Sequence, residues 1–177
     1  MDEGALQALL DENAIRAAMA RYARGVDRGD EELIRSVYHE DSRDERGWFN
    51  GSGWEFARVI AEELRERDRN AIHLITNIQV ELEGATAKVE SYTLALSSAR
   101  DETGPVQTFA GRYLDRFDLK DGEWRISRRV VVREFTAALE RQAVTGYFRD
   151  MGEQNRGAFA PDDVSYDFEG GFGGTSQ

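Results

Sequence analysis

The hydrophobic period of this 177-residue chain changes once, from a helical repeat to long strand-like runs, and that change divides it into a helical first third and a β-rich remainder. Leu6, Leu9, Leu10, Ile15, Met19, Tyr22 and Val26 recur every three to four residues, which predicts an amphipathic helix over 5–28, closed by Gly29. Asp30 suits an N-cap, and Glu31 and Glu32 favour the first turn of a short second helix carrying Leu33, Ile34, Val37 and Tyr38. Residues 43–50 read as a short strand. Ser52-Gly53-Trp54-Glu55 then has the spacing of a capping box ahead of a third helix bearing Phe56, Ala57, Ile60, Ala61 and Leu64. Beyond it, 71–82, 86–97, 106–119 and 123–135 are rich in Val, Ile, Tyr, Phe and Thr, with Glu83-Gly84 and Asp121-Gly122 placed for tight hairpins.

Helices first and an antiparallel meander afterwards is an α+β pattern, in which the helices cover one face of a curved sheet. The length suits one such domain over 1–135. Ala138, Leu139, Val144, Tyr147 and Phe148 predict an amphipathic stretch after Phe135, and Glu169-Gly170-Gly171-Phe172-Gly173-Gly174 is too glycine-rich for regular structure. Residues 136–177 therefore read as a C-terminal helical extension with a glycine-rich tail.

Charge and composition narrow the chemistry. A formal charge of -11, with arginines interleaved among acids, argues against a nucleic-acid partner. The absence of cysteine excludes disulfides, thiolate metal sites and a cysteine nucleophile. No run approaches the roughly 18 apolar residues that span a bilayer, and the acidic start Met1-Asp2-Glu3 does not read as a secretory signal, so a cytoplasmic chain without membrane partners is expected. Asp30, His39, Asp41, Asp44 and Glu45 match no ligand spacing, and no metal is expected.

Asp27 and His73 are the candidate catalytic pair. An Asp that fixes an imidazole, leaving the other ring nitrogen free to take a proton, is a minimal general-base device. Asp27 lies near a helix C-terminus, where a carboxylate opposes the macrodipole and needs a compensating partner; the alternative is a solvated residue in a charged turn. By strand parity His73, Ile75, Asn77, Gln79 and Glu81 share one face, and Ile72, Leu74, Ile78, Val80 and Leu82 the other. If His73 lines a cavity, the apolar face is covered by an oligomer contact or a bulge swaps the faces; otherwise His73 is a core histidine tied to one hydrogen bond.

Trp48, Trp54, Phe56, Tyr92, Tyr113 and Phe117 are candidate pocket walls, and Tyr22 lies about one and a half helical turns from Asp27. Parity sets Arg129 on the strand face opposite Trp124, pointing into a cavity, pairing with Asp115, or solvated.

The Gly25-Val26-Asp27 helix end, the Ile72-His73-x-x-x-Asn77 segment and the run Gly111-Arg112-Tyr113-Leu114-Asp115-Arg116-Phe117 resemble the SnoaL-like branch of the NTF2-like superfamily over about residues 5–135. Within that branch the chain is most similar to cone-shaped lyases of the scytalone dehydratase, hexachlorocyclohexane dehydrochlorinase and bile acid 7α-dehydratase type. The resemblance implies a cone of three N-terminal helices on a strongly curved, mostly antiparallel sheet enclosing a pocket. It implies an elimination without metal or organic cofactor, on a hydrophobic ring-containing small molecule. The family's helix-end Asp falls on Asp27 and its strand histidine on His73. Tyr22 stands five residues before Asp27, as the pocket tyrosine of the bile acid enzyme does, and the arginine five residues after the family's strand tryptophan falls on Arg129. The second pocket histidine of scytalone dehydratase has no counterpart, because His39 lies in another segment. Tyr22, Trp48, Asn77, Tyr92, Tyr113 and Arg129 are the residues expected to bind substrate, and a homo-oligomer, dimer or trimer, is expected. A ketosteroid-isomerase-like isomerase or polyketide cyclase, and a non-catalytic small-molecule-binding or oligomer-forming protein, are the alternatives the superfamily leaves open.

Overall fold

The computed structural model describes residues 2–101, 104–142 and 156–168. The element order is α1 (Glu3–Asp27), α2 (Glu31–Arg35), β1 (Tyr38–Glu45), β2 (Asn50–Gly51), α3 (Gly53–Arg67), β3 (Asp68–Glu83), β4 (Thr86–Ala99), β5 (Val106–Lys120) and β6 (Glu123–Leu139), followed by a 3-10 turn at Val164–Tyr166. The six strands form one curved, open sheet in the order β2-β1-β6-β5-β4-β3, antiparallel except for the β1–β6 pair. None of the described helices is long and apolar enough to cross a membrane.

Local chemistry sets the helix ends. Gly29, with φ +56°, closes α1: its N–H bonds the Val26 carbonyl at 3.0 Å and the Asp30 N–H bonds the Gly25 carbonyl at 2.8 Å, the paired bonds of a Schellman end. Asp30 then caps α2 by accepting from the Leu33 N–H at 3.0 Å. The Ser52/Glu55 capping box forms in both directions, Glu55 N–H to Ser52 Oγ at 3.1 Å and Ser52 N–H to Glu55 Oε2 at 2.9 Å. The turn after β5 places both Asp121 and Gly122 at positive φ, as a two-residue hairpin requires.

Three features of the strands differ from the sequence expectation, two of them boundaries. The strand expected at 43–50 is β1 at Tyr38–Glu45 plus the short β2, because pairing with β6 at Tyr38 and again at Arg43–Glu45 draws a polar run into the sheet where propensity gives no signal. The expected helical stretch after Phe135 begins as strand: β6 continues to Leu139, which pairs with Val106. Val144, Tyr147, Phe148 and the glycine-rich 169–174 lie outside the described residues.

The third difference decides which residues face the helices. In β3 the register shifts between Thr76 and Gln79, and Asn77 adopts φ +50°. This bulge swaps the faces. Before it Ala71, His73 and Ile75 point inward while Ile72 and Leu74 are exposed; after it Ile78, Val80 and Leu82 point inward. A second shift, opposite Arg116 and Phe117, lets Trp124, Ile126 and Arg129 all turn inward, so parity counted straight along β6 misplaces Arg129 relative to Trp124.

The core joins Ile15, Met19 and Tyr22 of α1, Phe56 and Leu64 of α3, and Phe117 and Ile126 of the sheet. It also buries charge. Arg129 donates to both Asp115 oxygens at 2.7 Å, and neither side chain is exposed. Burial pushes the Arg129 pKa down, but the Asp115 carboxylate, with Tyr38 and Tyr22 beside it, outweighs burial and holds the guanidinium charged. Asp115→Ala is expected to leave that charge buried and unpaired, costing about 3–5 kcal/mol in urea unfolding. Glu134→Ala, which breaks the solvent-facing pair with Arg112, is expected to leave the urea midpoint unchanged.

Candidate active site

The helices and the inner sheet face enclose a cavity of about 820 Å³, in the size range of small-molecule sites. Val26 and Tyr22 of α1 and Phe56, Ile60 and Leu64 of α3 line one side. His73, Ala95, Phe109, Tyr113 and Val131 line the sheet side, and Trp48 stands at the rim, 61% exposed.

Asp27 and His73 meet beside this cavity. Asp27 Oδ1 lies 2.7 Å from His73 Nδ1, and Asp27 Oδ2 accepts from the His73 backbone N–H at 3.1 Å. A carboxylate can only accept, so the neutral ring carries its proton on Nδ1 and its lone pair on Nε2. Nε2 has no hydrogen-bond partner among the described residues, and both side chains are about 85% shielded from solvent.

The peptide bond contact has a structural origin. β3 is the last strand of the sheet, so its outward N–H and C=O groups lack a strand partner. Helix α1 runs along that edge and supplies two: Asp27 takes the His73 N–H, and Arg16 Nη1 donates to the Ile78 carbonyl at 3.0 Å. From residue 16 to 27 the helix rises about 16 Å, matching about 16 Å of strand from 73 to 78.

Beneath the cavity lies a polar cluster that the sequence reading did not assemble. Arg46 donates from Nε and Nη2 to the two Asp44 oxygens at 2.7 and 2.8 Å, and from Nη2 to Tyr22 Oη at 2.9 Å. Tyr38 donates to Asp44 Oδ2 at 2.7 Å and accepts from Arg129 Nη1 at 3.2 Å. The Arg129 guanidinium sits 4.2 Å from the ring centres of both Tyr22 and Tyr113, and that of Arg46 sits 3.5 Å from the Phe56 ring centre. Arg46 follows β1 in irregular chain, where no periodicity marks it as inward-facing.

Of the residues expected to bind substrate, Tyr22, Trp48 and Tyr113 line the cavity. Three do not. Asn77 is exposed at the β3 bulge; Tyr92, 46% exposed, projects from the outer face, since its neighbours Ser91 and Thr93 take the inward positions; Arg129 is buried below the cavity on Asp115. Among the described residues, no group of three or more carboxylate or imidazole side chains is arranged to hold a metal ion.

The end of the described chain closes over the α1–α2 turn. The Ala160 N–H donates to the Arg28 carbonyl at 2.7 Å, Tyr166 donates to Asp30, and Phe159 packs 3.3 Å from where a Gly29 Cβ would lie. Asp163 is buried, 3.3 Å from Arg28 Nε, and accepts from the Ala158 and Ser165 N–H groups.

An open curved sheet wrapped by three helices around a cavity is the NTF2-like architecture. Within that superfamily the chain belongs to the SnoaL-like domain family, whose model matches residues 7–130. Similar solved structures include a scytalone dehydratase-like protein from Novosphingobium aromaticivorans, 23% identical over 79% of this chain and 95% of its own, with a TM-score of 0.68. A hexachlorocyclohexane dehydrochlorinase from Novosphingobium barchaimii is 20% identical over 80% and 98%, with a TM-score of 0.70. A Mycobacterium tuberculosis protein of unknown function is 23% identical over 72% and 74%, with a TM-score of 0.64. At these identities the likeness shows the fold. No curated protein matches the sequence.

Burial raises the phenol of Tyr113 above the ordinary 10.0, and burial raises Tyr38 likewise against the opposing pull of Arg129. Both must then stay neutral in the fold while the unfolded chain ionises them. Their contribution to stability is complete below pH 10.0 and is lost as pH climbs from there towards the folded values. The urea midpoint is expected to fall between pH 9 and 11, and phenolate absorbance of the native protein to lag behind that of the unfolded chain.

Proposed function

We propose that this protein is a cofactor-independent lyase that carries out an elimination on a hydrophobic, ring-containing small molecule. The observation that carries the reading is the 2.7 Å contact between Asp27 and His73 Nδ1, which leaves Nε2 unpaired at a cavity of about 820 Å³.

In this reading His73 Nε2 removes a proton from a carbon of the bound substrate. The C–H electron pair becomes the second bond to the neighbouring carbon, and that carbon's leaving group departs with its own bonding pair. Asp27 holds the required tautomer and stabilises the imidazolium that forms, the role a carboxylate plays behind a catalytic histidine. Tyr22, its hydroxyl oriented by Arg46, is placed to polarise an oxygen or halogen of the substrate. Trp48, Phe56 and Phe109 supply apolar and aromatic walls for a ring. The names of two structural relatives, a dehydratase-like protein and a dehydrochlorinase, are both those of eliminations and favour this chemistry over isomerisation. Exposed Ile72, Leu74, Leu94 and Leu114 on the outer sheet face suit the homo-oligomer that the family resemblance implies.

A panel of ring compounds carrying a hydroxyl or halide β to an acidic C–H is the direct assay, with alkene formation followed by absorbance. His73→Ala and Asp27→Asn are each expected to lower kcat by about 10²–10⁴. Turnover that survives His73→Ala, or wild-type protein that binds such compounds without converting them, would leave a binding protein in its place.

A further inference from the structure

We propose that the cavity is built for a ring compound bearing an acidic group, a carboxylate, with Arg133 as the residue that recognises it; this names the substrate class of the site described above and rests on that site taking a small molecule.

The protein pairs nearly all the cations of its last two strands with acids. On β5 and β6, Arg112, Arg116, Lys120, Arg125, Arg128 and Arg129 each have a carboxylate within 4.0 Å. Arg133, an exposed residue at the edge of the cavity, has none, and forms no hydrogen bond among the described residues, although the chain carries 34 acidic side chains against 23 basic ones. The other two arginines lining the cavity are also held, Arg46 by Asp44 and Arg67 by Glu63. The one cavity arginine left without an acid, among the described residues, is Arg133.

Register fixes where that charge stands. Arg133 pairs with Gly111, Gly111 with Thr93 and Thr93 with Ile75, which makes one row across the inner face. His73, Ala95, Phe109 and Thr136 make the adjoining row. The backbones of Arg133 and His73 are thus three strands apart, about 14 Å across the strands of a flat sheet and one row apart along them, and both side chains line the one cavity. Between them Gly111 has no side chain. A Cβ there would lie 2.3 Å from the Val132 carbonyl oxygen and 2.6 Å from the Phe109 ring, so glycine is what leaves room for that ring in the cavity wall. A flat ring resting on Phe109 would present one edge to His73 and the other to Arg133. A planar, permanently charged guanidinium at the second edge matches a carboxylate through two parallel N–H···O bonds.

The test compares 2-naphthoate with 2-naphthamide, which differ in charge far more than in shape, by calorimetric titration of the full chain at low and moderate salt. Wild-type protein is expected to bind the acid about tenfold more tightly than the amide, with the preference shrinking as salt is added. Arg133→Gln is expected to abolish the preference while keeping amide affinity within about twofold, which also shows that the variant folds; Arg133→Lys is expected to retain part of it. Equal binding of the two probes by the wild type, failure to bind either, or a preference that persists in Arg133→Gln would each overturn the assignment. His73→Ala is expected to keep the acid preference intact, so failure of the elimination chemistry and failure of acid recognition are read in separate experiments.

Discussion

The free edge of β3 is the constraint on which the site depends. An edge strand must find partners for its outward N–H and C=O groups, and here helix α1 provides them through Asp27 and Arg16. Asp27 stands in the last turn of its helix, where the macrodipole disfavours a negative charge. Two donors from His73, one backbone and one ring, offset that cost. The same carboxylate therefore satisfies the sheet edge, docks the helix and selects the imidazole tautomer. A neutral amide at this position would keep its shape but could present its NH₂ group to one of the two donors.

Below the dyad, charge takes the place of apolar packing. Arg46, Asp44, Arg129 and Asp115 form two ion pairs of zero net charge, with Tyr22, Tyr38 and Tyr113 stacked against or bonded to them. Buried pairs of this kind contribute little net stability relative to an apolar core, yet they allow few alternative arrangements. The Tyr22 hydroxyl is thereby fixed at the cavity wall. Above it, the small inward side chain of Ala95 leaves cavity space that a larger residue would have filled.

The architecture was largely legible in the sequence because it is written in local chemistry. Helical period, the Asp30 cap, the Ser52/Glu55 box and the Asp121-Gly122 turn each act within a few residues, and each forms. The Asp27–His73 contact was legible through family resemblance rather than spacing, since 46 residues separate the partners. What parity could not deliver was the face of a residue beyond a bulge. Asn77 counts as inward from His73 until its own positive φ inserts the extra residue, and the adjacent apolar pair Leu74-Ile75 is the faint sign that the alternation breaks there. A straight count from Trp124 puts Arg129 on the wrong face for the same reason. Tyr92 misled differently, because an aromatic residue in a strand reads as buried when the inward positions beside it belong to Ser91 and Thr93. Arg46 and Arg133 carry no pattern at all; their importance lies in which partners they have or lack in three dimensions.

With only two histidines in the chain, and His39 Nε2 bonded to the Asp118 carbonyl at 2.8 Å, the tautomer of His73 can be read directly by nitrogen-15 NMR of the imidazole rings. At a pH where the ring is neutral, His73 is expected to show a protonated Nδ1 and an unprotonated Nε2, with the Nδ1 proton shifted strongly downfield by Asp27 and that shift lost in Asp27→Asn. A neutral His73 carrying its proton on Nε2, or one exchanging between both forms, would contradict the general-base dyad.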